Sequence, residues 1–410
     1  MSSGPGSQDP SIDPAIEQAI ALHQAGNTGE AAALYNDILS RDPDNPDALR
    51  LLGVVRLQVG DPTSAEDLIR KAIALAPENA KAHDNLGLLL NATNRQGEAA
   101  AAFSQAIRLD PSLSTAQLNL GKLQFLTGQL EEARQSFQGV LHREPENRGA
   151  RYYLTNILLQ LGEPHAALDA LDPILQDSPA DAQALAFKAV ALLEAGDAAA
   201  AGSLMNFDGL VQARVIDCPE GFESLEAFNR DLASYLGSHP GLGEDKNLRN
   251  GLTARGVLSP GAAPSDRLSV RALQDLVQKE FASRQDTLKE GGDHPIASGC
   301  PVDFALHGDA VKLWTGGAQA PAISFGAWFS GLYFAQVPAA AGNGDEAQQG
   351  WLELGRGRPE LYRDAQPQMR TLRPEPGLLV TFPAFMWRAI RPFQGDDEHH
   401  LVAFHAHPEA

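Results

Sequence analysis

Five prolines, Pro43, Pro77, Pro111, Pro145 and Pro179, stand 34 residues apart. Nothing else in the chain restricts its fold so tightly, because three further sets of residues keep the same step. Small or turn-tolerant residues recur at Gly26, Gly60, Asn94, Gly128, Gly162 and Gly196. Alanine recurs at Ala31, Ala65, Ala99, Ala133, Ala167 and Ala201, and a large apolar residue at Tyr35, Ile69, Phe103, Phe137, Leu171 and Met205. Each register has a physical reading. Gly, or Asn, ends the first helix of a pair in a left-handed cap. The alanine lets the second helix approach the first closely, and the bulky residue fills the space beside it. Gly53, Gly87 and Gly121, followed by Thr155 and Ala189, sit inside first helices, where a small residue allows close packing despite its helix-propensity cost. Proline stops each second helix and begins the next unit. The pattern predicts five full helix pairs over 12–181 and a shortened sixth ending near Phe207, stacked as a solenoid with a concave face.

Four registers in step at this period resemble the tetratricopeptide repeat. The resemblance implies a groove that takes an extended peptide or a partner's helix. Counting from the small residue of each first helix, the groove-facing positions include Arg50, Asp84, Asn91, Lys122, Tyr152 and Asn156. Arg50, Lys122 and Asn156 suit a peptide backbone or a carboxylate through charge-assisted hydrogen bonds. The plain alternative for each of them is a solvated helix face.

A chain of 410 residues holds two or three domains. Asp and Glu number 52 against 32 Lys and Arg, a formal charge of -20. That balance argues against a general nucleic-acid surface or an anionic membrane surface as partner. No uninterrupted apolar run reaches the roughly 18 residues that a membrane span needs, and residues 1–11 read as a flexible polar start without a signal core. Cys218 and Cys300 suit a reducing compartment and are too far apart in sequence to suggest a redox pair. The expectation is a cytoplasmic protein of two parts, a solenoid over 12–207 and a second domain over 208–410.

The second part changes character. Leu210 to Asp217 suits a strand, and Phe222 to Leu236 reads as a helix with Leu225, Phe228, Leu232 and Leu236 on one side. A second helix is predicted over Val270 to Leu288. Short apolar runs bounded by Gly or Pro then follow at 302–306, 310–314, 328–336, 351–354, 377–382 and 400–405. Ala339 to Gln349 reads as an exposed loop. Strands so punctuated suit an antiparallel double-sheet jelly roll. The predicted fold is therefore an all-α solenoid followed by a β-rich, double-stranded β-helix (cupin-like) domain with flanking helices.

Two segments of this domain carry a second resemblance. Gly316-Gly-Ala-Gln-Ala-Pro-Ala-Ile-Ser-Phe-Gly-Ala-Trp-Phe-Ser-Gly-Leu-Tyr-Phe-Ala-Gln-Val-Pro338 is similar to the core motif of 2-oxoglutarate/Fe(II) oxygenases, G-G-x-Q-x-P-H-x-H-x-x-x-W-x-S-G-x-Y-Y. Pro376-Gly-Leu-Leu-Val-Thr-Phe-Pro-Ala-Phe-Met-Trp-Arg-Ala-Ile-Arg-Pro-Phe393 is similar to their P-G-x-L-x-x-F-P-S-x-x-x-H-x-x-x-P-F. That family holds iron with a facial triad of two His and a carboxylate. The resemblance puts the proximal pair on Ala322 and Ser324, the distal histidine on Arg388, and the basic clamp for the co-substrate near His399. Ala322 has no donor atom, and a guanidinium offers no lone pair. The expectation is a degenerate domain without metal or cofactor.

Two functions from different classes remain open. One is an interaction scaffold with an inactive oxygenase-like domain, recruiting a protein or peptide, with an intact oxygenase paralogue as one such partner. A variant of it keeps a metal-free pocket in which Ser324, Ser330, Arg388 and Arg391 bind an anionic small molecule. The other is an active dioxygenase that uses Fe(II) and 2-oxoglutarate to hydroxylate a recruited peptide. It needs His or acid within 320–326, and Pro321 to Gly326 contains neither. A relocated metal site on His399, His405 and His407 is a lesser alternative, since His399 and His405 lie roughly 20 Å apart along a strand.

Overall fold

The computed structural model describes residues 14–258, 267–290, 293–342 and 348–409. The expected flexible start and the first two residues of the solenoid lie outside them. Twelve helices occupy the region of the 34-residue registers. They pair as α1 (Pro14–Gln24) with α2 (Thr28–Arg41), α3 (Pro46–Gln58) with α4 (Pro62–Leu75), α5 (Ala80–Ala92) with α6 (Gln96–Leu109), and α7 (Ser114–Leu126) with α8 (Leu130–Arg143). Then come α9 (Arg148–Leu161), α10 (Pro164–Asp177), α11 (Ala182–Glu194) and the short α12 (Ala198–Met205).

The registers act as their chemistry requires. Gly26, Gly60, Asn94, Gly128, Gly162 and Gly196 all have positive φ, from 61° to 85°. The six register alanines have no exposed surface. A further register escaped the sequence reading: Asn45, Asn79, Asn147 and Asp181 each cap a first helix, accepting from the backbone N–H three residues on. Leu113 interrupts it, so α7 starts without a side-chain cap.

The chain forms two compact units, one ending at Ile157 and the other beginning at Leu158. In the first, successive first helices pack on one another, α1 on α3, α3 on α5 and α5 on α7, while α2, α4 and α6 each pack on their own first helix and the next. The second unit contains the last repeat helices together with the β-rich domain. There the Glu194 carboxylate of α11 accepts from the backbone N–H groups of Arg363, Asp364 and Ala365 at 2.9–3.2 Å. Arg363 Nη1 in turn donates to Leu161 O. The last repeats are thus tied by polar contacts to a loop 170 residues away in sequence.

The rest of this unit begins with a helical turn, α13 (Phe207–Leu210), and strand β1 (Gln212–Val215). Helix α14 (Leu225–Gly237), strands β2 (Gly243–Glu244) and β3 (Leu248–Ala254), helix α15 (Leu268–Glu290) and the turn α16 (Pro295–Ser298) follow. The remaining strands are β4 (Phe304–Ala322), β5 (Phe329–Gln336), β6 (Leu352–Leu354), β7 (Arg370–Leu372), β8 (Leu378–Pro383), β9 (Arg388–Ile390) and β10 (His399–Pro408). All strand pairs are antiparallel, in the order β1-β8-β5-β10-β4-β9-β6-β7, with β3 on β4 and β2 on β3. This is the curled antiparallel sheet expected.

Where the sequence predicts two strands, at 302–306 and 310–314, a single longer one, β4, runs from Phe304 to Ala322. One strand runs through because Gly308, which looks like a turn, lies in the ladder opposite Phe404, and Leu258 fills the space where its side chain would be. Gly316, at φ +76°, lets the strand bend, so that residues 304–313 pair with β10 while Gln319 and Ala322 pair with β9. Of the expected loop, Ala339–Gly342 forms a single helical turn, α17, and 343–347 lie outside the described residues. One face of the sheet packs on helices: Phe281 of α15 meets Phe329 and Phe404, and Phe228 of α14 meets Tyr333. Ser330 and His405, each next in sequence to Phe329 and Phe404, lie on the opposite face.

Candidate functional site

Strand pairing and one hydrogen bond bring together Ala322, Ser324 and Arg388, the three positions to which the motifs assign iron ligands. Ala322 and Arg388 are direct partners across β4 and β9. Opposed residues in an antiparallel pair hold their Cβ atoms about 4.5–5.5 Å apart. Arg388 Nη1 donates to Ser324 Oγ at 2.7 Å, closing the triangle. The Arg388 side chain is buried and its Nε has no partner. Burial draws its pKa down to about 10, against the pull of the Asp309 carboxylate, so it remains cationic at neutral pH.

The neighbouring wall is formed by β5 and β10. Ser330 and His405 face each other across the ladder, with Ser330 Oγ hydrogen-bonded to His405 Nδ1 at 3.1 Å. Burial, and after it the Arg388 charge, push the His405 pKa well down. His407 and His307 stack edge to face with centroids 5.1 Å apart. His307 was missed by the sequence reading; only the register that pairs β4 with β10 reveals it, since His307 lies opposite His405. Among the described residues no three His, Cys, Asp or Glu side chains are grouped to hold a metal ion.

His399 stands at the other end of β10, wholly buried and stacked on Phe334. Its Nδ1 meets Gln336 O at 2.9 Å, while its Nε2 has no hydrogen-bond partner. Burial lowers its pKa to about 4. At neutral pH it therefore carries no charge with which to hold a carboxylate. The sign of the resulting pH dependence is definite. A histidine neutral in the fold gains its proton only on unfolding, so its stabilisation is complete above pH 6.5 and is lost as pH falls towards 4. The shift corresponds to about 3 kcal/mol. His400, His405 and His407, also depressed by burial, act in the same direction. The melting temperature of the second unit is expected to fall between pH 7 and 4.5, and His399→Leu to flatten that dependence. An unchanged pH profile in the variant would place the acid sensitivity elsewhere.

Arg391 does not join Arg388. It follows on β9 with its side chain on Glu353, at 3.0 Å, and Arg356 reaches the same carboxylate. These residues line an open cleft of about 760 Å³ together with Lys246, Arg249 and Gln319. Arg388 and Ser330 are absent from its lining, so the four-residue anion pocket expected from sequence is divided: Ser324, Ser330 and Arg388 on one side, Arg391 on the other.

The groove positions divide as well. Asp84 is buried and accepts from Thr115 and Asn119 of α7, and burial raises its pKa. Arg50 is nearly buried and paired with Asp47 at 3.0 Å. Both are engaged within the solenoid. Lys122 is exposed, and Asn91, Tyr152 and Asn156 are half-buried.

Comparison with known families matches both parts. Models described as "Tetratricopeptide repeat" match residues 16–80, 55–114, 85–148 and 128–190, and the model described as "Putative 2OG-Fe(II) oxygenase" matches 310–405. The chain thus carries tetratricopeptide repeats followed by a domain similar to that oxygenase family over 310–405. Solved structures similar to the repeats include MamA, 21% identical over 40% of this chain and 94% of its own, with a TM-score of 0.35. Another is PilF of Pseudomonas aeruginosa, 24% identical over 48% and 89%, with a TM-score of 0.42. A third is YrrB, described as a TPR protein with an unusual peptide-binding site, 24% identical over 42% and 89%, with a TM-score of 0.35. A comparison with curated proteins finds no match.

The family implies Fe(II) and 2-oxoglutarate, and the residues present do not fit the metal. Ala322 supplies no atom, the Ser324 hydroxyl already accepts from Arg388, and the Arg388 guanidinium sets a positive charge beside the place of a dication. Histidines do stand nearby, but His405 is hydrogen-bonded to Ser330 and His307 packs edge to face on His407, and among the described residues they form no metal-holding group.

Proposed function

We propose that this chain of tetratricopeptide repeats and a 2OG-Fe(II) oxygenase-type domain is a protein-interaction scaffold whose oxygenase domain is catalytically inactive. One observation carries the reading: the buried Arg388 guanidinium is bonded to Ser324, and Arg388 is the direct partner of Ala322, the three positions that the family's motifs give to iron ligands. The repeats recruit a protein or peptide, with Lys122 and Asn91 as the accessible polar groups of the first-helix face. A framework so close to an active oxygenase suits a protein that works beside one, and an intact paralogue is the partner we favour. No described helix is long and apolar enough to cross a membrane, and we place the protein in the cytoplasm.

The test has two arms. With Fe(II) and 2-oxoglutarate supplied, the full chain is expected to give no decarboxylation above a heat-denatured control. Lys122→Ala with Asn91→Ala is expected to weaken binding of the partner at least roughly tenfold while changing stability by less than about 0.5 kcal/mol. Metal-dependent decarboxylation would overturn the inactive assignment. Unchanged binding of the same partner would move its docking surface off the first-helix face.

A further inference from the structure

Arg388 is a charge without a counter-charge. Its side chain is 7% exposed, its Nη1 is bonded only to a neutral hydroxyl, and its Nε has no partner. Among the described residues no carboxylate forms an ion pair with it. Asp309 acts on it only through space, with Oδ1 accepting from the Gly256 N–H at 2.9 Å. Removing a guanidinium from water costs several kcal/mol unless a partner of opposite charge compensates. A fold that keeps such a residue at the centre of its motif-bearing face has reason to bring in the missing anion.

We propose that Arg388 binds a small carboxylate monoanion, with Ser324 and the Ser330–His405 pair as neutral neighbours. The proposal rests on the reading that the metal site is gone, and it inverts that site: the cation is built into the chain and the exchangeable ligand is negative. Three features select a carboxylate. The planar guanidinium matches the two oxygens of a carboxylate in a forked pair of hydrogen bonds. Ser324 Oγ, by accepting from Arg388, keeps its own hydrogen free to donate. Arg388 supplies one positive charge with Asp309 close by and His405 held neutral, so a dianion such as phosphate would keep an unmet negative charge.

The full chain in HEPES buffer, titrated with sodium formate or sodium acetate at constant ionic strength, provides the test. The wild type is expected to show saturable stabilisation, a melting-temperature rise of roughly 5–10 °C at a hundred times Kd. Arg388→Met and Arg388→Gln are both expected to lose the response. In formate-free buffer Arg388→Met should melt at or above the wild type, because a buried charge without a partner has been replaced by an apolar side chain of similar length. Equal responses from the wild type and Arg388→Met would overturn the proposal, as would sodium chloride or phosphate reproducing the effect at the same concentration. A parallel titration with Co(II) separates the two readings. Absence of both responses defeats only the carboxylate site, whereas one-to-one Co(II) binding by the wild type defeats the loss of the metal site on which it rests.

Discussion

Replacing Ala322→His, Ser324→Asp and Arg388→His together is expected to create a Co(II) site, a gain in affinity of at least roughly 100-fold, or about 2.7 kcal/mol. The backbone is already arranged for it. Positions 322 and 388 are direct cross-strand partners, and Ser324 Oγ reaches the Arg388 side chain at 2.7 Å, so three ligands introduced there start from one point. Each change does a separate job. Two of them restore donor atoms; the third also removes a fixed positive charge that opposes a dication. Arg388→His alone is therefore expected to bind weakly. Calorimetry with Co(II) on the wild type, the single variant and the triple variant decides the matter. A triple variant that folds but binds no metal would show that the positions do not converge. Tight binding by the wild type, lost on changing His399 or His405, would instead reveal a metal site relocated along β10. Turnover is a harder demand, because neutral His399 offers no charge for a co-substrate carboxylate at pH 7.

The solenoid could be read from sequence because each of its rules is local. A left-handed cap needs Gly or Asn within a residue or two of its helix end, and positive φ appears at all six expected positions. The oxygenase-like site was legible in position only. Two motifs singled out Ala322, Ser324 and Arg388; the ladder between β4 and β9 pairs the first with the last, and a hydrogen bond from Arg388 reaches Ser324. Partners were not legible, because side-chain contacts across a curled sheet depend on register. Nothing in the sequence around Arg391 announces that Glu353, 38 residues earlier, will take it away from Arg388. The approach of His307 to His407 likewise follows from the pairing of β4 with β10. Burial was equally hidden: His399 lies in a stretch with three acidic residues and another histidine, yet it is fully enclosed.

Gly87→Leu should destabilise the repeats by about 2 kcal/mol and Phe103→Ala by about 3 kcal/mol or more, yet the two should cost less in combination than their sum. Read from sequence, the small residues inside first helices and the bulky residues of second helices were separate registers. In the structure they are mates. A Cβ on Gly53 would meet Ile69 at 2.6 Å, one on Gly87 would meet the Phe103 ring at 2.5 Å, and one on Gly121 would meet Phe137 at 3.1 Å. Each bulky side chain thus lies over the glycine sixteen residues before it. Phe103 is 1% exposed, and emptying such a site costs about 3–5 kcal/mol. Overfilling a packed site usually costs about 1–3 kcal/mol, and a leucine facing a ring edge at 2.5 Å belongs at the upper end. Leucine is a better helix former than glycine by about 1 kcal/mol, which offsets part of that cost. In the double variant the new leucine enters the space left by the ring, so a coupling of about 1–3 kcal/mol is expected. Urea unfolding followed by far-ultraviolet circular dichroism on the four proteins of the cycle measures it. Additive losses would mean that the two residues pack independently, and that the 34-residue step records two constraints rather than one contact repeated along the solenoid.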